Sequence, residues 1–419
     1  MKYSEPFLLS STGSTRATAY GFSNKSVTLN GKTHVVWLDA VAKVCGRTYD
    51  HAAQQWGEAI AFFDGCDNHT SPSLTVDKDG FLHLVYGPHG WWGNWNQARF
   101  KWVISEEPNS IAAWRGEQMF GYSATYACMV HLPHGRDAIV YRGGEVPCSL
   151  MFQRQRELGG WSTARELVRQ EITPQYTNVG GQMVCDRDGI LYTACNLYNV
   201  EGNFSLPADG RKTFGLVILR STDEGENWTD LRCEPVSIPT LYEPRLSPPP
   251  LMPYNGDRRI GGLALDSAGA LWVLVSSPQI TVAESLLSRW NGGEWHTIDI
   301  APFFPDGWNP VDTMLTIDSR DHIHITATAA PVSRLGTEQV WGNPLCEVFH
   351  LVSADAGRSF SCRQVSVTDE TTANWLPNIS RGGVYNPVEN PVILYTHGPA
   401  GVGCSPETQT EVYCVMTEG

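Results

Sequence analysis

Asp77-Lys78-Asp79-Gly80-Phe81-Leu82-His83-Leu84-Val85-Tyr86 is an acidic, glycine-containing turn that runs straight into a short apolar strand. Asp-Gly between β-rich runs signals a hairpin, because glycine accepts the left-handed backbone that a tight turn demands. The pattern recurs. An earlier copy is Asn30-Gly31-Lys32-Thr33-His34-Val35-Val36-Trp37, and later ones are His134-Gly135-Arg136-Asp137-Ala138-Ile139-Val140-Tyr141 and Asp186-Arg187-Asp188-Gly189-Ile190-Leu191-Tyr192. Three more follow: Asp266-Ser267-Ala268-Gly269-Ala270-Leu271-Trp272-Val273, Asp318-Ser319-Arg320-Asp321-His322-Ile323-His324-Ile325, and Glu389-Asn390-Pro391-Val392-Ile393-Leu394-Tyr395. Turn positions 31, 80, 135 and 189 lie 49, 55 and 54 residues apart, the length of a four-stranded sheet with its loops. Seven such units predict an all-β, seven-bladed β-propeller with four-stranded antiparallel blades, a single domain over residues 1–419.

Two segments fit the same architecture. Ser221-Thr222-Asp223-Glu224-Gly225-Glu226-Asn227-Trp228 matches the Asp-box pattern S-x-D-x-G-x-x-W, and Ser353-Ala354-Asp355-Ala356-Gly357-Arg358-Ser359-Phe360 is a variant closed by Phe. In this motif the Asp and Gly shape a turn while the aromatic tucks beneath, so Asp223 reads as a turn-former rather than a catalyst. Helix signals are nearly absent: Ser110 to Met119 is expected to hold one turn or a short helix. Pro-rich Leu246 to Pro253 reads as an extended surface loop between the fourth and fifth units.

Composition narrows the function. Hydrophobic residues make up 42% and charged residues 18%, which excludes a disordered chain. With 30 Lys+Arg against 44 Asp+Glu, the net charge of −14 argues against a nucleic-acid or anionic-membrane partner. Any anionic ligand must therefore meet a local cluster of Arg, Lys or His. No apolar run is long enough for a membrane span. Met1 to Ser14 lacks the layout of a secretion signal, as expected of a cytoplasmic chain or of an exported protein in mature form. The 11 cysteines show no metal-ligand spacing. Cys185/Cys195, Cys346/Cys362 and Cys404/Cys414 could each face one another across hairpins, but reduced thiols are the expectation. A monomer is expected.

Four residues fall at the same end of predicted inner hairpins: His69 and His89 flank the hairpin of the second unit, Tyr126 and Arg142 that of the third. Hairpin ends lie together in space, so all four side chains can line one end of the channel. Their chemistry is coherent. Histidine and tyrosine exchange protons, and arginine grips a carboxylate through paired hydrogen bonds. That combination suits abstraction of the C5 proton of a uronate, with Arg offsetting the charge of the enolate-like intermediate as the C4 oxygen leaves. In a glucuronate the C5 hydrogen and C4 oxygen share one ring face, so base and acid must stand side by side. No metal or other cofactor is required. Taken singly, each of these residues has an ordinary structural role in a β-protein, and His83, His322 and His324, which sit on the strand pattern, are assigned to structure.

The segment Asp67-Asn68-His69, then Asp79 to His89, with Tyr126 and Tyr141-Arg142, resembles the BNR-type seven-bladed propeller lyases, ulvan lyases among them. The run Arg16-Ala17-Thr18-Ala19-Tyr20, Ser23-Asn24-Lys25, and Gly31 to Asp39 more closely resembles a narrower group. These are the α-L-rhamnosyl-(1→4)-D-glucuronate lyases (polysaccharide lyase family 42) and the sister α-L-rhamnosidases (glycoside hydrolase family 145), which act on rhamnose-capped glucuronate ends of gum arabic and arabinogalactan. The resemblance covers about the first 160 residues and is architectural afterwards.

It implies a catalytic set of His69, His89, Tyr126 and Arg142. Arg142 would clamp the carboxylate, His89 abstract the proton, Tyr126 protonate the leaving group and His69 help neutralise charge, with exchange of roles among the histidines and Tyr126 left open. Rhamnosidases of this type use one histidine on the opposite face, for which His34 is the candidate beside a structural role. Related lyases sometimes hold an ion in the propeller channel, but no ligand set is legible here. Trp91, Trp92 and Trp95, directly after His89, either stack on sugar faces or close the gap between blades. Asn68, Asn94, Asn96 and Gln97 could bond hydroxyls, and Arg154 either adds positive charge to the site or pairs with a carboxylate of a neighbouring blade. The implied partner is an acidic oligo- or polysaccharide. A sialidase is discounted because Arg16-Ala17-Thr18 does not fit the early Arg-Ile-Pro motif, while a non-catalytic sugar-binding propeller remains the reading from another class.

Overall fold

The Asp77 carboxylate Oδ1 accepts hydrogen bonds from the backbone N–H of Asp79 and Phe81, both at 2.9 Å. The same pair of bonds recurs from Asp186 to Asp188 and Ile190, from Asp266 to Ala268 and Ala270, and from Asp318 to Arg320 and His322. The acid of the repeat is thus a local template: its side chain satisfies two turn amides and aims the chain into the next strand. Gly80 follows at φ +86°, where a Cβ would be strained.

A computed structural model describes residues 1–65, 67–87, 89, 99–143, 148–169, 181–241, 243–247, 258–277, 284–335, 340–401 and 403–419, apart from 201–210 and the side chains of 198–200 and 211–215. Seven antiparallel sheets follow one another around an axis. The second, for example, runs Ser73–Val76, Leu82–Tyr86, Phe100–Ser105 and Trp114–Phe120, from inner strand to outer. The third runs Thr125–His131, Asp137–Gly143, Ser149–Arg154 and Arg165–Val168. The fourth has three strands among the described residues. In the seventh, Asn374–Ile379, Val392–His397 and Thr410–Glu418 are completed on the outside by Phe7–Gly13 from the other end of the chain. The ring therefore closes non-covalently, sequence start against sequence end.

Apolar clusters lie between blades rather than within one central core. Val36, Leu38, Leu74 and Leu84 join blades one and two, and Leu150, Leu167, Leu197 and Val217 join three and four. Ile325 and Leu351 of blade six pack with Leu274 and Leu287 of blade five. Where inner strands crowd near the axis, glycine is required: a Cβ on Gly262 would sit 2.8 Å from the Leu315 backbone nitrogen.

Both Asp boxes form as read. Ser221 Oγ accepts from the Gly225 amide at 2.9 Å, Asp223 Oδ1 accepts from Asn227 N at 2.8 Å, and Trp228 is buried with its indole N–H on Gly225 O. One local expectation needs correction, and another falls mostly outside the described residues. Within Ser110 to Met119 the chain is not helical: Trp114–Phe120 is the outer strand of blade two, paired with Phe100–Ser105, because strand pairing overrides helix propensity. Of the Pro-rich segment Leu246 to Pro253, only Leu246 and Ser247 are described, both buried, with Leu246 ending the 3-10 turn Pro244–Leu246; residues 248–253 lie outside the described ones. None of the three cysteine pairs is a disulfide. Cys195 pairs in register with Gly181, and Cys185 with Leu191, so the first pair occupies opposite ends of its hairpin. Among the described residues no helix is long and apolar enough to cross a membrane.

Candidate active site

One face of the ring carries the starts of the inner strands and the ends of the second strands; the tight turns and Asp boxes lie on the other. His69 sits just before Ser73–Val76, in a turn where Asp67 Oδ1 accepts the His69 amide at 2.8 Å. His89 lies three residues after Leu82–Tyr86. Tyr126 opens the inner strand of blade three at a bulge, where the register slips between Thr125 and Cys128, and has φ +61°. A left-handed backbone at a bulky aromatic is strained and is held only by its surroundings. The bulge re-aims the phenol ring. Arg142 is the penultimate residue of the adjacent strand, opposite Thr125, and is 1% exposed.

These four side chains converge. The His69 and His89 rings stack with centroids 3.9 Å apart, Tyr126 lies 5.7 Å from His89, and the Arg142 guanidinium carbon is 4.5 Å from the Tyr126 ring centre. Three residues not assigned from sequence complete the cluster. Asp67 presents one oxygen to both imidazoles, 3.5 Å from His69 Nδ1 and 3.6 Å from His89 Nδ1. Those distances are long for hydrogen bonds, so the attraction is chiefly electrostatic. Arg16 donates to His69 Nε2 and to the Tyr20 hydroxyl through one guanidinium nitrogen. Tyr20 packs edge-on against Tyr126, centroids 4.9 Å apart. Arg16 and Tyr20 reach the site because the chain passes from the closing strand Phe7–Gly13 across this face into blade one, tied by Leu38 N to Ala17 O and Thr18 Oγ1 to Leu376 O. Asp67 was legible as the start of an Asx turn two residues before His69; nothing local marked Arg16 as its neighbour.

Protonation follows from this geometry. Because Arg16 donates to His69 Nε2, that nitrogen carries the lone pair, and the inferred tautomer puts the proton on Nδ1, facing Asp67. Burial lowers the His69 pKa to about 4, with Arg16 and His89 adding to the effect against the pull of Asp67. Burial also lowers that of His89, opposed by Asp67 and assisted by Arg142. For Asp67, burial pushes upward, but both histidines outweigh it and hold the carboxyl well below its usual range. At neutral pH the site thus holds two neutral imidazoles, one carboxylate and two guanidiniums. Among the described residues, His89 Nε2 is buried with no hydrogen-bond partner. It is the nitrogen best placed to take a proton.

The remaining candidates part from the site. Asn68 is 1% exposed, and its amide donates to Thr15 Oγ1 at 2.9 Å and to Gly401 O at 3.2 Å, so it ties chain segments together instead of offering donors to a ligand. Arg154 is on the opposite face: antiparallel pairing sets it across from Ala138, and it binds Glu224 and Glu226 of the blade-four Asp box. Trp91, Trp92, Trp95, Asn94, Asn96 and Gln97 lie outside the described residues. His34 is 0% exposed, with Nδ1 bonded to Thr48 Oγ1 at 2.8 Å and Nε2 to Asn109 Oδ1 at 2.9 Å. Both its nitrogens are occupied. His83 and His324 are likewise buried on Asp137 and Asp318.

Asp67, His69 and His89 offer three donor atoms within 4.8 Å of one another and are the residues that could hold a cation here, though two flanking guanidiniums oppose it electrostatically. His83 and His131 approach Asp137 at 2.5 and 2.7 Å, hydrogen-bond distances that leave no room for an ion between them.

Residues 32–302 match the model of the BNR repeat-containing family. Curated relatives include an ulvan lyase of Nonlabens ulvanivorans, 22% identical over 149 residues, with 31% of this chain and 32% of that one covered. Another, from Alteromonas sp. (strain LOR), is 24% identical over 148 residues, covering 31% and 30%. The matched region thus spans about a third of these relatives' length. Among solved structures, a PL25 ulvan lyase superposes with a TM-score of 0.73 at 15% identity, covering 98% of this chain and 96% of that one. The polysaccharide lyase Uly1 superposes at 0.62 and 14% identity over the whole of both chains. At such identities the likeness shows a shared fold.

Proposed function

The chain belongs to the BNR repeat-containing family, and from that premise we propose that it is a polysaccharide lyase cleaving at a uronate by β-elimination. The observation that carries this reading is the convergence of His69, His89, Tyr126 and Arg142 in one cluster, with the Asp67 carboxylate against the two imidazoles. In the proposed reaction Arg142 faces the uronate carboxylate and lowers the cost of the enolate-like intermediate. His89 Nε2 takes the C5 proton, the C4–O bond breaks, and the departing oxygen receives a proton from Tyr126, whose ring lies beside His89. His69 with Asp67 fixes the orientation of His89 by stacking and charge. The relatives named above are ulvan lyases, and one solved PL25 enzyme binds -[GlcA(1-4)Rha3S]-.

On the motif resemblance, the linkage we propose is terminal α-L-rhamnosyl-(1→4)-D-glucuronate, releasing L-rhamnose and leaving a 4,5-unsaturated glucuronate. The rhamnosidase alternative is disfavoured by the double bonding and full burial of His34. Incubation with a rhamnose-capped glucuronate oligosaccharide, and in parallel with ulvan, tests both levels. Ultraviolet absorbance of the new double bond rising in step with free rhamnose supports the full reading. Absorbance from ulvan alone would retain the lyase and replace the substrate. Rhamnose without absorbance would indicate hydrolysis, and binding without turnover a sugar-binding propeller.

A further inference from the structure

Beyond the catalytic cluster, the same face carries an indole that no part of the elimination uses. Trp341 lies in the connection between the second and third strands of blade six, Ile323–Pro331 and Glu347–Ser353, on the side of the ring where His89 follows the second strand of blade two. It is 36% exposed, yet it is not loose: its ring meets Trp375 edge-on, centroids 4.8 Å apart and planes at 86°, and the Trp375 indole N–H is bonded to Gly398 O at 3.0 Å. The Arg16 guanidinium carbon is 5.4 Å from the Trp341 ring centre. That guanidinium spends one nitrogen on His69 and Tyr20, its Nε is buried without a hydrogen-bond partner, and among the described residues it forms no ion pair with a carboxylate.

The contacts therefore lead from Trp341 to Arg16, from Arg16 to His69 and Tyr20 side by side, from these to His89 and Tyr126, and from Tyr126 to Arg142. Proton transfer occupies the His89–Arg142 end. At the other end stand a partly exposed indole, held by Trp375, and a cation with unspent donors. An indole face stacks on the C–H face of a pyranose, and guanidinium N–H groups bond its hydroxyls. Because Arg16 and His69 separate the indole from His89, a sugar resting there is not the ring losing its C5 proton but one further along the same glycan.

We propose that Trp341 and Arg16 form a subsite for a pyranose flanking the reacting uronate, so that the enzyme favours oligosaccharides extending beyond the cleaved pair. The inference rests on the lyase reading for its substrate class. Its test is a ladder of glucuronate-containing oligosaccharides, from disaccharide to tetrasaccharide, assayed with wild type, Trp341→Ala and Trp341→Phe. Expected is a kcat/KM that rises with length in wild type and a loss of about 3- to 10-fold confined to the longer substrates in Trp341→Ala, the range of one aromatic contact. Trp341→Phe should retain part of the gain, and it serves as the measurement should the alanine variant fold poorly. The disaccharide rate should be unchanged.

A parallel calorimetric titration of wild type and both variants with the tetrasaccharide at low temperature separates the two readings. Trp341-dependent binding with no double bond formed by wild type would uphold the subsite and overturn the lyase. Elimination with a length profile identical in wild type and both variants would overturn the subsite and leave the lyase intact.

Discussion

The imidazoles of His69 and His89 stack face to face, centroids 3.9 Å apart and planes inclined by 11°. Two rings so close cannot both be protonated without strong repulsion, and one carboxylate, Asp67, serves both Nδ1 atoms. The pair is kept neutral, and its pKa values are lowered chiefly by burial. A base that stays unprotonated into mild acid should keep activity there. The acid limb of kcat/KM against pH is expected below the ordinary histidine value near 6.5.

Asp67→Asn tests the shared carboxylate. Asp67 favours the imidazolium forms, so its removal lowers both histidine pKa values further and moves the acid limb to lower pH. Loss of the fixed tautomer should reduce kcat on the order of 100-fold, less than the full worth of a general base. A pH–rate profile with the limb unmoved would show that Asp67 is not coupled to the base.

Arg142→Ala should lower kcat/KM by about 10²–10³-fold through loss of the charge offset at the uronate carboxylate. The same change removes a positive charge that depresses His89, so residual activity should show its acid limb at higher pH. The opposite limb shifts of Arg142→Ala and Asp67→Asn, read in one pH series, form an internal control.

His34→Gln should leave turnover nearly intact while costing about 1–3 kcal/mol of stability, because two buried hydrogen bonds from the ring are disturbed. His89→Ala should do the reverse. Denaturant midpoints and initial rates on both variants check this contrast, and abolished turnover in His34→Gln with a normal midpoint would bring the hydrolase reading back.

Asp137 is a latch between blades two and three. It accepts from His83 at 2.5 Å, His131 at 2.7 Å and the Trp102 indole at 2.7 Å. Burial alone would depress His83, but Asp137 and Asp77 raise it to about 9. A raised pKa stabilises the fold fully below about 6.5 and loses that contribution as pH climbs through about 9. Urea midpoints should therefore fall between these values, and the slope should flatten in His83→Gln. Asp137→Asn, which strands a buried cation, should cost about 3–5 kcal/mol at neutral pH.

The amino-acid order alone specified the propeller, because its evidence is local: an Asp carboxylate capping its own turn, a glycine at positive φ, and an apolar strand behind them. It also specified that His69, His89, Tyr126 and Arg142 share one end of the ring, since the two ends of an antiparallel hairpin meet by construction. Only the tertiary structure decided the rest. Arg16 and His69 are 53 residues apart and meet because Phe7–Gly13 closes the last blade and carries the following segment over the site. Arg154 departs from Arg142 because strand polarity takes it to the other face, and His34 is saturated by Thr48 of its own blade together with Asn109 from the next. Turn chemistry acts within a few residues, whereas these contacts depend on how whole blades pack, which no short stretch of chain encodes.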